Sequence, residues 1–134
     1  MIDYTQLLKE HNLKVTPQRV AIVDELYLKG HINIDDLFLS LKSKFPSISL
    51  ATIYKNINSM LEKLFVCEVK VPHQKSVYEL TKELHSHVVC SNCNAIEDIT
   101  LNTSLIFSEA CKKSEYTLDN IEVVFTGLCK KCSK

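Results

Sequence analysis

Two pairs of cysteines constrain the fold of this chain more than any other feature. Cys90 and Cys93 form one C-x-x-C pair, and Cys129 and Cys132 form a second pair near the end of the sequence. Each C-x-x-C turn places two thiolates where one ion can bind both, and two such turns complete the tetrahedral sulfur cage that zinc favours. The C-terminal part of the chain must therefore bring both turns together, and we expect a structural zinc site there.

Composition places the chain among ordinary globular proteins. Apolar residues make up 46% and charged residues 24% of the sequence, which is enough to bury a core. Lys+Arg (16) balance Asp+Glu (16), so any nucleic-acid partner must be bound through local placement of charge. No apolar stretch approaches the roughly 20 residues that span a bilayer, and the first residues lack an export signal. We therefore expect a cytoplasmic protein without a membrane partner, in which the cysteines serve as thiolates.

The first 65 residues carry helical signals. Thr16 can cap a helix whose first turn accommodates Pro17, and Gly30 is expected to end this helix. Asn33 is expected to cap the next helix, which Pro46 breaks. A shorter amphipathic stretch, Ile2 to Asn12, precedes them. The apolar stripe of the second helix consists of Val20, Ile22, Val23, Leu26 and Tyr27.

A fourth helix that begins at Ser49 has two different faces. Its apolar positions follow a helical period and are Leu50, Ile53, Ile57, Met60, Leu61 and Leu64. The opposite face is small, hydroxylated and basic, which favours insertion into a DNA major groove over a merely solvated or partner-binding helix. On this face we expect Ala51 to lie at the DNA, and Thr52 and Tyr54 to contact bases or thymine methyl groups. Lys55, together with Arg19 of the second helix, is expected to contact phosphate or guanine.

Beyond residue 65 the period changes from near four to two. Val66–Val71 and Val77–Leu80 alternate as strands and form a plausible hairpin, so helices followed by a hairpin predict a winged helix-turn-helix. We predict an α+β protein with a winged-helix domain over residues 1–80, a hinge over 81–84 and a small α/β domain over 85–134. The expected elements of the last domain are the strands His87–Cys90, Ala95–Leu101 and Ile121–Leu128 and the helix Thr103–Lys113.

His85 and His87 indicate a second metal site apart from the sulfur cage. Their period-two spacing places both on one face of a strand, where they can bind one ion together. Cys67 and Cys111 have no partner at ligand spacing and are expected to pack in the fold or lie at the surface.

Several of these motifs together resemble the ferric uptake regulator (Fur) family, and the likeness covers nearly the whole chain. They are Thr16-Pro17-Gln18-Arg19, Ser49-Leu50-Ala51-Thr52-Ile53-Tyr54, His85-x-His87-x-x-Cys90-x-x-Cys93 and Cys129-x-x-Cys132. Within the family the chain looks most like the peroxide-responsive (PerR-type) repressors. The resemblance implies a homodimer that represses transcription from double-stranded promoter DNA and whose C-terminal domain dimerises around one structural Zn²⁺ per subunit.

The resemblance also implies a regulatory site between the two domains that binds one Fe²⁺ or Mn²⁺ per subunit. Its ligands match, residue by residue, His31, Glu79, His85, His87 and Asp98. Three imidazoles and two carboxylates suit these borderline-to-hard ions. In PerR-type relatives, bound iron reacts with hydrogen peroxide and oxidises a ligand histidine, and the protein then releases its operator.

Two sensing functions stay open within the family. PerR-type relatives usually carry aspartate at both acidic positions and iron-sensing relatives carry glutamate, whereas this chain has Glu79 and Asp98. The favoured prediction is a peroxide-sensing repressor, and the alternative is a repressor that senses the availability of iron or manganese. No small-molecule substrate beyond the metal and peroxide is expected.

Two enzyme classes compete less well with these interpretations. A non-haem iron oxygenase could use His85, His87 and a carboxylate as a facial triad, but the short C-terminal segment leaves little room for a substrate cavity. A thiol oxidoreductase that uses the C-x-x-C pairs would need a thioredoxin-like βαβ context, which the sequence does not suggest. We therefore expect no catalytic residues.

Overall fold

The structure is a computed structural model that describes residues 3–134, so Ile2, the first residue of the predicted N-terminal helix, lies outside the described residues. The chain divides into two compact units, one ending at Lys82 and the other beginning at Glu83. Each unit contains helical and extended segments and one three-stranded sheet. The predicted α+β class is confirmed.

The N-terminal unit is a winged helix-turn-helix. Within the described residues, its elements in chain order are α1 (Tyr4–Glu10), α2 (Pro17–Lys29), β1 (Ile32–Asn33), α3 (Ile34–Lys44), α4 (Leu50–Glu62), β2 (Val66–Val69) and β3 (Val77–Leu80). The strands form an antiparallel sheet in the order β1-β3-β2. The hairpin of β2 and β3 is the wing that follows α4.

Side-chain caps determine where these helices begin, and Asp3 caps α1 by accepting from the backbone N–H of Gln6. The side chains of Thr16, Asn33 and Ser49 each accept a hydrogen bond from the backbone N–H three residues further on. Such a bond satisfies one of the donors that a helix N-terminus leaves unpaired. Gly30 ends α2 with a φ of 77°, a conformation that residues with a Cβ atom rarely adopt. The starts predicted for α2, α3 and α4 are confirmed.

The core of the N-terminal unit lies among the helices and against the sheet. Its fully buried side chains include Leu8, Ile22, Val23, Leu26, Leu37, Leu41, Ile53, Ile57, Met60 and Val66. The α4 stripe therefore faces inward at its centre, which leaves the opposite face of that helix available to solvent.

Truncation of Ile57 should weaken this core strongly. The side chain is fully buried in α4, so Ile57→Ala should lower the free energy of unfolding by about 2–5 kcal/mol. Urea denaturation followed by circular dichroism measures the change. Leu39→Ala provides a control, because this leucine of α3 is 67% exposed and its loss should cost less than about 0.5 kcal/mol.

Three residues of the apolar stripes identified in the sequence are not buried. Tyr27 is 55% exposed, Leu50 is 38% exposed and Leu64 is 73% exposed. Tyr27 lies in the last turns of α2 and packs edge-on against the ring of Tyr4, with ring centroids 5.9 Å apart, rather than in the core. Leu50 is the first residue of α4, and Leu64 follows the helix in a left-handed conformation (φ 59°), where the helical period no longer applies.

The C-terminal unit contains, among its described residues, β4 (Ser86–Cys90), β5 (Ile96–Ile99), α5 (Ser104–Ser114) and β6 (Val124–Gly127). Strand β4 lies at the centre of the sheet, with β5 antiparallel on one side and β6 parallel on the other. The outer strands are shorter than the predicted Ala95–Leu101 and Ile121–Leu128, because pairing with β4 extends over only a few residues. None of the helices within residues 3–134 has the length and apolarity needed to cross a membrane.

Candidate metal centres and nucleic-acid interface

The four paired cysteines meet in the C-terminal unit. Cys90 ends the central strand β4, and the turn after it carries Cys93, while the turn after β6 carries the second pair. All four Sγ atoms lie within 4.8 Å of one another, and Cys93 Sγ lies 3.9 Å from Cys129 Sγ. Zinc–sulfur bonds of about 2.3 Å in a tetrahedron place neighbouring sulfurs about 3.8 Å apart. The sulfur cage therefore fits Zn²⁺ in donor type, number and spacing.

Backbone groups of the two turns prepare the sulfur cage for a cation. The backbone N–H groups of Cys93 and Cys129 each lie 3.5 Å from Cys90 Sγ and lower the pKa of that thiol to about 6. Hydrogen bonds from the Cys132 turn likewise lower the pKa of Cys129. The lowered pKa values of Cys90 and Cys129 favour their thiolate forms, and the thiolate, not the thiol, is the metal ligand.

Asn92 is a contributor to this site that the sequence reasoning missed. Its Nδ2 donates to Cys132 Sγ at 3.2 Å, across the two turns. This bond lowers the pKa of Cys132, but hydrogen bonds with the neighbouring thiols outweigh it and raise that pKa to about 11. The position of Asn92 between the two cysteines of a C-x-x-C turn could have indicated this role, because hydrogen-bonding groups around a metal site orient its ligands.

The C-terminal unit also brings two imidazoles and a carboxylate together. His87 on β4 lies opposite Asp98 on β5 in the sheet register. Asp98 Oδ1 lies 3.4 Å from His87 Nε2 and 3.6 Å from His85 Nε2, and the two imidazole centroids are 4.6 Å apart. These N–O separations are longer than ordinary hydrogen bonds and close to the distance of about 3 Å between neighbouring ligand atoms of an octahedral ion. The C-terminal triad, His85, His87 and Asp98, therefore fits one shared cation.

A backbone contact determines the tautomer of His85. Its Nδ1 lies 2.7 Å from the carbonyl oxygen of Glu83. A carbonyl only accepts, so Nδ1 must carry the proton, and in the neutral ring Nε2 presents its lone pair toward Asp98. A lone pair and a carboxylate oxygen repel each other unless a proton or a metal cation lies between them. The arrangement resembles the way metal-binding imidazoles are oriented in proteins generally.

A second imidazole–carboxylate pair lies in the N-terminal unit. His31 follows Gly30 at the end of α2, and Glu79 lies on β3, where β1 and β2 flank it. His31 Nε2 lies 2.9 Å from Glu79 Oε2, and Glu79 is only 3% exposed. Burying a carboxylate is costly without a charged or hydrogen-bonding partner. The N-terminal pair, His31 and Glu79, is therefore a buried polar site and not a solvent-exposed contact between loops.

Helix α4 presents the outer face that the sequence predicts. Ala51, Tyr54 and Lys55 are exposed, with 43% of the Tyr54 surface accessible, and Thr52 is half-buried. The hydroxyl of Thr52 lies 2.9 Å from that of Ser49, and the two share one hydrogen bond at the helix start. Arg19 donates through two of its guanidinium N–H groups to acceptors within the N-terminal unit.

The fold and these sites define the class of the protein. A winged-helix unit with an exposed recognition helix is followed by a unit with a sulfur cage and a separate imidazole–carboxylate triad. This combination is that of a metal-dependent transcriptional regulator, and such a regulator acts on double-stranded DNA as a homodimer.

Comparison with known proteins gives the family. The profile of the Ferric uptake regulator family matches residues 10–126. The chain is 30% identical to the Peroxide operon regulator of Bacillus subtilis over 96% of this chain and 90% of that protein. It is 29% identical to the Ferric uptake regulation protein of the same organism over 94% and 89%, respectively. The peroxide stress regulator of Campylobacter jejuni has a similar structure, with 38% identity, a TM-score of 0.71 and coverage of 98% of this chain and 100% of that chain.

The chain therefore belongs to the ferric uptake regulator family. Members of this family are transcriptional regulators and not enzymes, which confirms the prediction of a regulator and removes the oxygenase and oxidoreductase alternatives. The predicted cofactor types, zinc and a regulatory divalent ion, agree with the two kinds of donor cluster described above.

Proposed function

We propose that the protein is a dimeric repressor whose DNA binding depends on one Fe²⁺ or Mn²⁺ per subunit, bound jointly by the N-terminal pair and the C-terminal triad. The observation that carries the proposal is the C-terminal triad, where one carboxylate oxygen lies 3.4 Å and 3.6 Å from two imidazole nitrogens. The triad alone provides three side-chain ligands, which is too few for an ion that prefers six. His31 and Glu79 supply an imidazole and a buried carboxylate of the same donor type.

The regulatory ion acts through linkage in this proposal. Residues 81–84 serve as a hinge between a DNA-binding domain over residues 1–80 and a dimerisation domain over 85–134. A cation bound by side chains from both sides of the hinge favours the arrangement in which two α4 helices match two half-sites of an operator in the cytoplasm. Loss of the ion frees the hinge and lowers operator affinity, because only one arrangement is competent to bind.

The exposed apolar surface of the C-terminal unit supports the proposal that the protein dimerises through this unit. Every residue of α5 is exposed or half-buried, and Leu105 is 82% and Ile106 62% exposed. Phe125 on β6 is 48% exposed. A helix with apolar side chains in water is covered when a second copy of the chain packs against it. The sulfur cage keeps the turns at the ends of β4 and β6 together and so stabilises this surface.

The N-terminal unit supplies the DNA contacts. In this proposal Tyr54 and Thr52 contact bases through the major groove, and Ala51 allows close approach at the start of α4. Lys55 contacts a phosphate oxygen, so operator affinity falls as salt rises. With a net charge of zero, the chain needs both subunits of the dimer to bind its operator tightly.

The signal that we propose for the regulatory site is hydrogen peroxide. Bound Fe²⁺ would activate hydrogen peroxide, and the two electrons that reduce the peroxide come, overall, from the ligand imidazole that is oxidised. One peroxide oxygen is added to a carbon of a ligand imidazole in place of its hydrogen, and the other leaves as water. His31 and His85 are the candidate rings, one on each side of the hinge. The oxidised ring is a weaker ligand, so the ion and then the operator are released. The peroxide regulators among the similar proteins support this choice.

Peroxide treatment should therefore distinguish iron from manganese at the regulatory site. The iron-loaded dimer should gain one oxygen atom on a peptide that contains His31 or His85 and should lose operator binding, whereas the manganese-loaded dimer should keep both its mass and its binding. Mass spectrometry of tryptic peptides and a DNA mobility shift measure the two effects on one sample. An unmodified iron-loaded protein that still binds DNA would contradict peroxide sensing.

A specific residue favours the second candidate function. One of the two acidic positions of the regulatory site is a glutamate, Glu79. The chain is also similar, over most of its length, to the Ferric uptake regulation protein of Bacillus subtilis. In that case the dimer senses the availability of iron or manganese, and occupancy of the regulatory site alone decides binding. The peroxide experiment separates the two functions, because an availability sensor responds to chelation but not to peroxide.

A further inference from the structure

A chain of hydrogen bonds connects the start of α2 with the recognition helix α4. Arg19 Nε donates to Asn56 Oδ1 at 3.0 Å, and Arg19 Nη1 donates to the carbonyl oxygen of Lys14 at 2.9 Å. Asn56 then donates through Nδ2 to the carbonyl oxygen of Thr52 at 2.9 Å. We call the linked side chains of Arg19 and Asn56 the brace.

The brace uses both hydrogen-bonding ends of the Asn56 amide. Its oxygen accepts from α2 and its nitrogen donates to the backbone of α4 one turn earlier, so the amide has no freedom to rotate without losing a bond. Both side chains of the brace are half-buried, which weakens the competition from water. The backbone of Arg19 is itself fixed, because its N–H donates to the Thr16 side chain at 3.2 Å.

The residues expected to read DNA lie within the turn that the brace holds. Thr52 supplies the carbonyl that Asn56 binds, and Tyr54 lies two residues before Asn56 on the same helix. A small rotation of α4 about its axis would therefore move the base-contacting side chains while leaving the helix intact. Catalytic and binding groups generally need support of this kind to stay within about 0.5 Å of their working position.

We infer that Arg19 is a positioning residue, which holds α4 at the angle needed to read bases, and not a direct contact to phosphate or guanine. This inference rests on the proposed function, since it presumes that α4 enters the DNA groove. It replaces the expectation, drawn from sequence alone, that the Arg19 charge meets the DNA. The planar guanidinium suits the role, because it directs two N–H groups at fixed angles, which the single ammonium of lysine does not.

The brace predicts a specific pattern of DNA affinities. The probe is a duplex selected from a random-sequence pool by the manganese-loaded wild-type dimer. Arg19→Lys, Arg19→Gln and Asn56→Ala should each weaken binding about tenfold, and the Arg19→Gln, Asn56→Ala double variant should be no weaker than either single variant. The salt dependence of affinity should stay that of the wild type in all of them, since no phosphate contact is lost.

Lys55→Gln is the matched control, because it removes the same charge from the exposed face of α4. It should reduce the salt slope by about 2 per dimer, and its cost should multiply with that of Arg19→Gln. Affinities are compared at a temperature at which thermal unfolding curves show every variant folded. Should Arg19→Gln not fold, the cycle of Arg19→Lys with Asn56→Ala gives the same test.

Two outcomes would overturn the brace. One is a full hundredfold loss in the double variant, which would mean that the two residues act independently. The other is a reduced salt slope for Arg19→Gln with near wild-type affinity for Arg19→Lys, which would assign Arg19 to a phosphate. Failure of the wild-type dimer to select any duplex would instead refute the proposed function, and the two failures are therefore distinguishable.

Discussion

Replacement of Cys129 by serine should release the zinc ion and unfold the C-terminal unit. The four Sγ atoms lie within 4.8 Å of one another, so one lost thiolate leaves an incomplete cage whose remaining sulfurs repel each other. Structural zinc sites are worth on the order of 10 kcal/mol, which exceeds the stability that a unit of this size can retain without them. We expect a zinc content near zero, loss of the dimer and no operator binding. Elemental analysis and sedimentation measure the first two effects.

Two cysteines outside the sulfur cage provide the control. Cys67 on β2 is exposed and Cys111 on α5 is half-buried. Cys67→Ser and Cys111→Ser should retain one zinc ion per subunit and the dimer, since neither thiol belongs to the cage. A Cys129→Ser variant that stayed folded, dimeric and zinc-loaded would show that the cage is not the structural metal site.

Replacement of His85 by alanine should abolish metal-dependent DNA binding and leave the fold unchanged. The ring belongs to the C-terminal triad, and its Nδ1 bond to the Glu83 carbonyl directs Nε2 toward Asp98, as the proposed coordination requires. Removal of partners that merely orient a ligand costs 10–100-fold in metal affinity, so loss of the ligand itself should cost at least about 100-fold. Operator binding should then equal that of the chelated wild type. Manganese titration followed by a mobility shift measures both quantities.

His73→Ala is the matched variant for this experiment. His73 is an exposed residue in the loop of the wing hairpin, and it belongs neither to the sulfur cage nor to the C-terminal triad nor to the N-terminal pair. It should keep wild-type manganese affinity and zinc content. A His85→Ala protein that lost its zinc or its dimer would mean that the two metal sites have been assigned wrongly.

The N-terminal fold was largely predictable because its signals are local. Capping side chains, Pro17 and Gly30 define the ends of α2, and the period of Ile53, Ile57 and Met60 defines the buried face of α4. Strand β1 was missed, since two residues show no period and form a strand only because β3 lies beside them. The exposed Leu64 was misplaced for a related reason, as the chain leaves the helix just before it.

The candidate site was predictable in its residue types but not in its geometry. The cysteine spacing alone predicts the sulfur cage, and the H-x-H spacing places two imidazoles near one face of β4. The pairing of His87 with Asp98 depends on the register between β4 and β5, which no local pattern contains. The brace could not be predicted from the sequence either, because Arg19 and Asn56 lie on different helices and meet only through tertiary packing.

The most direct test of the central claim is the number of manganese ions that each zinc-loaded subunit binds. The account predicts one Mn²⁺ per subunit by electron paramagnetic resonance titration, and it predicts that Glu79→Ala in the N-terminal pair and Asp98→Ala in the C-terminal triad each abolish that same ion. Two manganese ions per subunit, of which each variant removes only one, would contradict it, because the N-terminal pair and the C-terminal triad would then be separate sites.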